Sequence, residues 1–295
     1  MRALLEFEKR GKMKKGGVQE LESEIKNKGK LVAMLAPCFV AQFDYPQILQ
    51  QLKDLGFDKV VELTFAAKIV NHKYNQILKK SKKFNISTVC PGIVQTILTK
   101  FPNYIENLIP IYSPMIVMGK ICRRDYPNHK IVFVSPCNFK KEEAKLTDDI
   151  DIVIGMDELD ELLKAHNISP KSNIKDKFDK FYNDYTKIYP LAGGLSKTAH
   201  IKNILKEGES KAIDGINEVI EFLKNPDKKV KFLDANFCIG GCIGGPLLTQ
   251  SKTLEEKKKR VLGYVKQAMH EKIPQGEKGV LKSARGIRLR RNNFK

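Results

Sequence analysis

The stretch KFLDANFCIGGCIGGPLL, residues 231–248, constrains this chain more than any other. Cys238 and Cys242 stand four apart with only Ile239, Gly240 and Gly241 between them, and Gly244 and Gly245 follow. Thiolates at this spacing reach one metal centre from a single turn of chain. The glycines let the backbone approach a bulky ligand without a Cβ in the way. Taken alone, the loop has two readings: half of an all-cysteine iron–sulfur site, or a glycine-rich turn carrying two incidental thiols.

The rest of the chain decides between them. With 295 residues, 42% of them hydrophobic, it suits one large domain or two lobes with an ample core. No apolar run is long enough for a membrane helix, and the start, MRALLEFEKRGKMKKGG, is charged throughout. The expectation is a cytoplasmic chain without a membrane association. Disulfides are disfavoured there, so six cysteines read as metal ligands or buried thiols. The net charge of +19 comes from lysines spread almost everywhere, which describes a solvated surface better than a nucleic-acid footprint. It also suits an acidic protein partner.

Residues 1–29 read as a polar leader, 30–275 as the main domain and 276–295 as a basic tail. The tail carries Lys278, Lys282, Arg285, Arg288, Arg290, Arg291 and Lys295 and is expected to be flexible. No C-x-x-C-x-x-C run lies in the leader, so no ferredoxin-type module is expected there. Pattern and punctuation predict strands over 31–35, 59–63, 85–89, 130–135, 151–154 and 230–233. They predict helices over 45–55, 65–79, 93–101, 115–124, 157–165, 212–223 and 254–269, with Gly56 as a C-cap and Asp157 as an N-cap. Strands alternating with helices predict an α/β fold built on mainly parallel sheets flanked by helices.

In such sheets ligands gather beyond the carboxyl ends of the strands. Cys90 follows the 85–89 strand, and Pro91 opens the next helix, where its missing N–H costs nothing. Cys137 follows KIVFVS and Pro136, and the Cys238/Cys242 pair follows the 230–233 strand. Four thiolates can therefore converge on one edge of the fold. None of the five histidines lies beside these cysteines, and the spacing is unlike a zinc knuckle. Thiolates from distant segments, with glycine-rich backbone to bond sulfide, favour a four-iron cluster over zinc. Cys38 also ends a strand, as a spare ligand or a buried thiol. Cys122 falls on a helix and reads as structural.

From about residue 31 to about 248 the chain resembles the C-terminal domain of the large subunit of iron-only ([FeFe]) hydrogenases. The resemblance rests on Thr88-Val89-Cys90-Pro91-Gly92, Ser135-Pro136-Cys137-Asn138-Phe139-Lys140-Lys141-Glu142-Glu143 and Phe237-Cys238-Ile239-Gly240-Gly241-Cys242-Ile243-Gly244-Gly245, in the family's order. Ser113-Pro114-Met115 and the Gly193-Gly194 loop also have counterparts. It implies two α/β lobes, about 30–128 and 129–275, with the active cluster between them. It further implies a [4Fe-4S] cubane on Cys90, Cys137, Cys238 and Cys242. Cys242 would be shared with a diiron unit carrying CO and CN⁻, and Gly193 and Gly194 would lie in the cofactor site. Lys140 would donate to a cyanide, and Glu143 would lie on a proton route. The implied activity is reversible proton reduction with an external ferredoxin, after loading by maturation proteins.

The departures are as informative. Hydrogen-evolving members carry a cysteine immediately before the Cys90 position, and here Val89 stands there, with no ionisable group to relay a proton. Ser135 and Asn236 stand where methionines are usual, and the third motif runs into Pro246. These features resemble the divergent, sensory branch of the family. They imply slow turnover, or a hydrogen or redox sensor working with a separately encoded signalling protein. A relative carrying only a cubane is the third reading.

Overall fold

The computed structural model describes residues 17–180, 185–272, 280–292 and 294. Its elements run α1 (Val18–Lys26), β1 (Leu31–Leu35), α2 (Gln47–Leu55), β2 (Lys59–Glu62), α3 (Thr64–Lys80), β3 (Asn85–Ile86), α4 (Pro91–Lys100), α5 (Pro114–Asp125) and β4 (Lys130–Ser135). They continue with α6 (Asn138–Ala144), β5 (Ile152–Gly155), α7 (Met156–Ala165), α8 (Gly194–Thr198), β6 (Ser210–Asp214), α9 (Ile216–Lys224), β7 (Phe232–Asn236) and α10 (Leu254–Ala268).

Two parallel sheets organise these elements. One has the order β2-β1-β4-β5, the other β3-β7-β6. β1 reads LVAML and every one of its residues is buried, as expected of a central parallel strand covered on both faces. Its register, Leu35 opposite both Glu62 and Val134, ends neighbouring strands together at one edge. Ser135 pairs with Gly155, so Pro136-Cys137 leaves from that edge. In the second sheet Ile86 pairs with Leu233, so the chains toward Cys90 and Cys238 run out in the same direction. The expected α/β class with parallel sheets and flanking helices is what the chain adopts. No helix among the described residues is long and apolar enough to cross a membrane.

Several expectations change. The pattern predicts a helix over 212–223, but the chain first forms β6, pairing from Ser210↔Phe232 to Asp214↔Asn236, and only then α9. β6 is an edge strand, half-exposed along its length, so its sequence lacks the apolar run that marks a buried strand. The strand expected over 85–89 stops at Ile86. The N-cap of α7 is Gly155 rather than Asp157, because the Glu158 carboxylate reaches back to the Gly155 N–H.

The sheets do not divide near residue 128 either: β4 and β5 join β1 and β2, while the second sheet takes strands from 85–86 and 210–236. The leader contributes α1, whose Leu21 is fully buried in the larger core; residues 1–16 lie outside the described residues. Nor is 280–292 a free arm. The Tyr112 N–H donates to the Leu289 carbonyl (2.9 Å), the Arg291 N–H to that of Pro110 (3.1 Å), and Ile111 pairs antiparallel with Arg290. Lys278 and Lys295 lie outside the described residues.

Candidate metal centre

Cys90 and Cys137 occupy equivalent positions: each is the extended N-cap residue of a helix, α4 and α6. The partial positive charge of a helix start favours an anionic sulfur there. Pro91 takes the first position of α4, as expected. Before Cys137, the Ser135 hydroxyl donates to the Cys137 carbonyl (2.8 Å) and accepts from its N–H (3.2 Å), turning the chain sharply out of β4. Before Cys90, the Thr88 N–H donates to the Tyr74 hydroxyl (2.8 Å), and the Thr88 hydroxyl to the Ile109 carbonyl (2.8 Å). Both approaches are held by buried side chains.

The three cysteine loops touch one another. A Cβ on Gly92 would lie 2.9 Å from the rings of both Phe139 and Phe237, so only glycine fits where α4 meets the other two motifs. Those rings pack at 4.6 Å between centroids. The Leu247 N–H donates to the Pro136 carbonyl (3.1 Å), clipping the third loop to the second. A fourth segment closes the ring: the Cys242 N–H donates to the Pro190 carbonyl (2.7 Å), and Leu191 bridges to Gly241. A Cβ on Gly241 would stand 2.6 Å from that carbonyl.

The thiols are thereby brought near one another, each partly buried. Burial pushes Cys137 up to about 11 and Cys238 up to about 12, and raises Cys242 as well. The charge of Cys90 adds to each rise, while Lys140 works the other way at Cys137 and Cys242. Four thiolates cannot coexist here without positive charge among them; a metal centre would supply it, since metal ions deprotonate the thiols that coordinate them. Among the described residues no three His, Cys, Asp or Glu side chains close on a position for one ion. Zinc would demand such closure, with bonds of about 2.3 Å in a tight tetrahedron. An all-thiol donor set brought in from three loops fits the chemistry of an iron–sulfur cluster.

Lys140 and Glu143 are not the surface residues their neighbours are. Lys140 Nζ lies 2.6 Å from Glu143 Oε2 and donates to the Val89 carbonyl at 3.2 Å. The Ser113 hydroxyl donates to the same Oε2 at 2.9 Å, and Glu143 is 5% exposed. Arg291, from the C-terminal segment, stacks over Phe294 at 4.0 Å and feels the charge of Glu143. Val89 itself is half-buried and packs on the larger core. Cys122 is buried in α5, apart from the other thiols. Cys38 is fully buried in the turn after β1, and the charges of Cys242 and Cys137 reach it.

Gly193 and Gly194 shape the strap rather than grip the loop: the Gly194 N–H donates to the Leu191 carbonyl (2.8 Å), and Pro190 and Leu191 make the contacts to the Cys242 loop. Behind that strap lies a group that the sequence does not reveal. Lys187 Nζ meets Glu62 Oε2 at 2.6 Å with both side chains fully buried, and donates to the Tyr264 hydroxyl at 2.8 Å. Tyr264 in turn donates to Glu62 Oε1 at 2.8 Å. Lys187 sits in a polar and aromatic stretch where no local pattern distinguishes it from the other lysines.

Residues 29–246 match the family model described as the iron only hydrogenase large subunit, C-terminal domain. The chain is 24% identical over 256 residues to iron hydrogenase 1 of Clostridium pasteurianum, covering 68% of this chain and 44% of that relative. It thus spans less than half of that relative's length. Among solved structures, a variant of [FeFe]-hydrogenase HydA1 from Chlamydomonas reinhardtii superposes with a TM-score of 0.69 at 13% identity. HydA(ΔEFG), whose structure reveals stepwise assembly of the H-cluster, superposes with 0.66 at 14%. Both alignments cover 92% of this chain and 94% of the other. At such identities the likeness is one of fold.

Proposed function

The chain belongs to the family defined by the C-terminal domain of the iron-only hydrogenase large subunit, and on that premise we propose that it holds an H-cluster-type centre and interconverts protons and hydrogen, slowly, with an external electron carrier. The observation that carries this reading is the buried Lys140–Glu143 pair beside the cysteine loops. Burying two charges costs several kcal/mol per ion before their attraction offsets it, so a chain that needed only to fold would place them in water.

In this reading Cys90, Cys137, Cys238 and Cys242 would hold a [4Fe-4S] cluster, and Cys242 would also serve a diiron unit carrying CO and CN⁻. When bound, that unit supplies the redox-active metal at which electrons and protons combine. Lys140 offers its ammonium as a charge-assisted donor to an anionic ligand in a dry site. Glu143 keeps Lys140 oriented and, with the Ser113 hydroxyl, forms a chain of groups able to hold and pass a proton. Val89 adds no such group, which limits proton delivery. The aromatic pair Phe139 and Phe237 packs between the first, second and third motifs and adds apolar surface beside them. Electrons enter from an acidic, ferredoxin-like carrier, to which the net charge of +19 is complementary. Maturation proteins supply the diiron unit.

Val89 also favours a second reading, a hydrogen or redox sensor that binds the same centre and signals through a separate protein. One experiment tests both. The anaerobically matured chain is examined by infrared spectroscopy, iron and sulfide counts and hydrogen uptake. CO and CN⁻ bands with slow uptake are expected; bands without uptake favour the sensor. Iron and sulfide in cubane ratio without bands would leave only an iron–sulfur protein and overturn the hydrogenase reading.

A further inference from the structure

A groove of about 930 Å³ lies between α3 and the C-terminal segment, and the metal centre makes no use of it. Its floor is aliphatic, with Ile77, Ile109 and Leu289 among the lining residues. Its rim is cationic: Lys73, Lys83, Arg285, Arg288 and Arg290 all line it, and no Asp or Glu does.

These five cations have no carboxylate partner among the described residues. Lys73 donates to Gln76 Oε1 (3.1 Å), Lys83 to the Glu106 carbonyl, and Arg288 to the Arg290 carbonyl (3.2 Å) and to Asn292. The Ile111–Arg290 pairing and the Tyr112–Leu289 hydrogen bond hold one wall against the domain. Like charges brought together around one concavity repel, and the cleft focuses their field; an anion relieves both. The volume is that of a small-molecule pocket, about 300–1,000 Å³.

We propose that this groove binds a nucleoside polyphosphate. The planar base lies on the aliphatic floor. The phosphates meet the rim, where guanidinium groups offer paired N–H donors that match phosphate oxygens. None of the four cysteines, nor Lys140 or Glu143, lines the groove, and the reading stands independently of what the cysteine loops hold.

Isothermal titration calorimetry of the full chain at low ionic strength tests it, with ATP, inorganic triphosphate and a single-stranded oligonucleotide as separate probes. ATP is expected to bind saturably at one site and more tightly than triphosphate. The double substitution Arg288→Glu/Arg290→Glu is expected to weaken it by about tenfold or more, as loss of charge-assisted phosphate contacts should. Lys73→Glu/Lys83→Glu, on the opposite wall, is expected to act likewise and does not depend on the C-terminal segment keeping its place. No saturable ATP binding, or binding unchanged in both double variants, overturns the proposal. Triphosphate binding as tightly as ATP would remove the role of the floor and with it the nucleoside. Tighter binding of the oligonucleotide would make the groove part of a nucleic-acid surface instead.

Discussion

Lys140 and Glu143 face each other at 2.6 Å one turn apart on α6, with side chains 12% and 4% exposed. A second pair of the same spacing, Glu142 on that helix and Lys145 at its C-cap, lies at 2.7 Å but is 50% and 43% exposed. Water screens the second pair and makes it nearly worthless, whereas the first is largely shut off from water. Ser113 and the Val89 carbonyl complete the coordination of the buried pair and tie α6 to the first cysteine motif.

Replacing Lys140 by Met therefore leaves the Glu143 carboxylate buried with only Ser113 and a distant arginine to answer it. The expected loss is about 3–5 kcal/mol of stability, against less than about 1 kcal/mol for Lys145→Met. Denaturant unfolding under anaerobic conditions measures the difference, and Lys140→Met is also expected to abolish hydrogen turnover in the matured protein.

Changing Cys90, Cys137, Cys238 or Cys242 to Ser, one at a time, is expected to lower iron content and bleach the charge-transfer absorption of the reconstituted protein. Cys122→Ala, buried in α5, is expected to retain both. Equal iron in all five variants would mean that the four thiols do not form one site.

In the iron-free chain the raised values work against thiolate formation. A thiol pushed up to about 11, as at Cys137, from an ordinary 9.0 stays protonated as pH rises past 9 and loses its proton only near 11. Folding therefore favours the neutral thiol, and the fold is penalised as pH climbs through that window. Near neutral pH, alkylation of Cys137 is expected to run about a hundredfold slower than in the urea-unfolded chain, and to accelerate toward pH 11. Mass spectrometry of quenched samples gives the rates site by site.

Lys187 and Glu62 support the strap that grips the Cys242 loop. Lys187→Met alone leaves a buried carboxylate and is expected to cost about 3–5 kcal/mol. Adding Glu62→Gln removes that charge while keeping an acceptor for Tyr264, and is expected to recover much of the loss. A double variant no more stable than the single would show that the pair does not act as a unit.

Val89→Cys introduces an ionisable group next to Cys90. If proton supply limits the matured protein, turnover is expected to rise about a hundredfold or more, the range of an added proton-transfer group. Hydrogen evolution with a chemical reductant measures it; an unchanged rate would place the limitation elsewhere.

Much of the fold is legible locally. LVAML and KIVFVS announce central strands because a parallel strand buried on both faces must be apolar throughout. The positions of Cys90 and Cys137 just past strands are legible for a related reason, since Pro91 and Pro136 punctuate the exits. β6 is not, because SKAID is an edge strand defined by its pairing with β7. The C-terminal segment is not, because its basic side chains hide the two main-chain hydrogen bonds that hold it to Pro110 and Tyr112.

By itself the sequence determined the class of the fold, the order of most strands and helices, and the four thiols suited to share a metal centre, since these depend on periodicity and neighbours a few residues away. Tertiary structure alone decided which strands pair, and that Lys140 and Lys187 are buried while dozens of similar lysines are solvated. It also decided that Pro190 holds the Cys242 loop and that the basic tail folds back to wall a groove. Burial and charge pairing are properties of groups meeting across long stretches of chain, and a lysine's letter is the same in water as in the core.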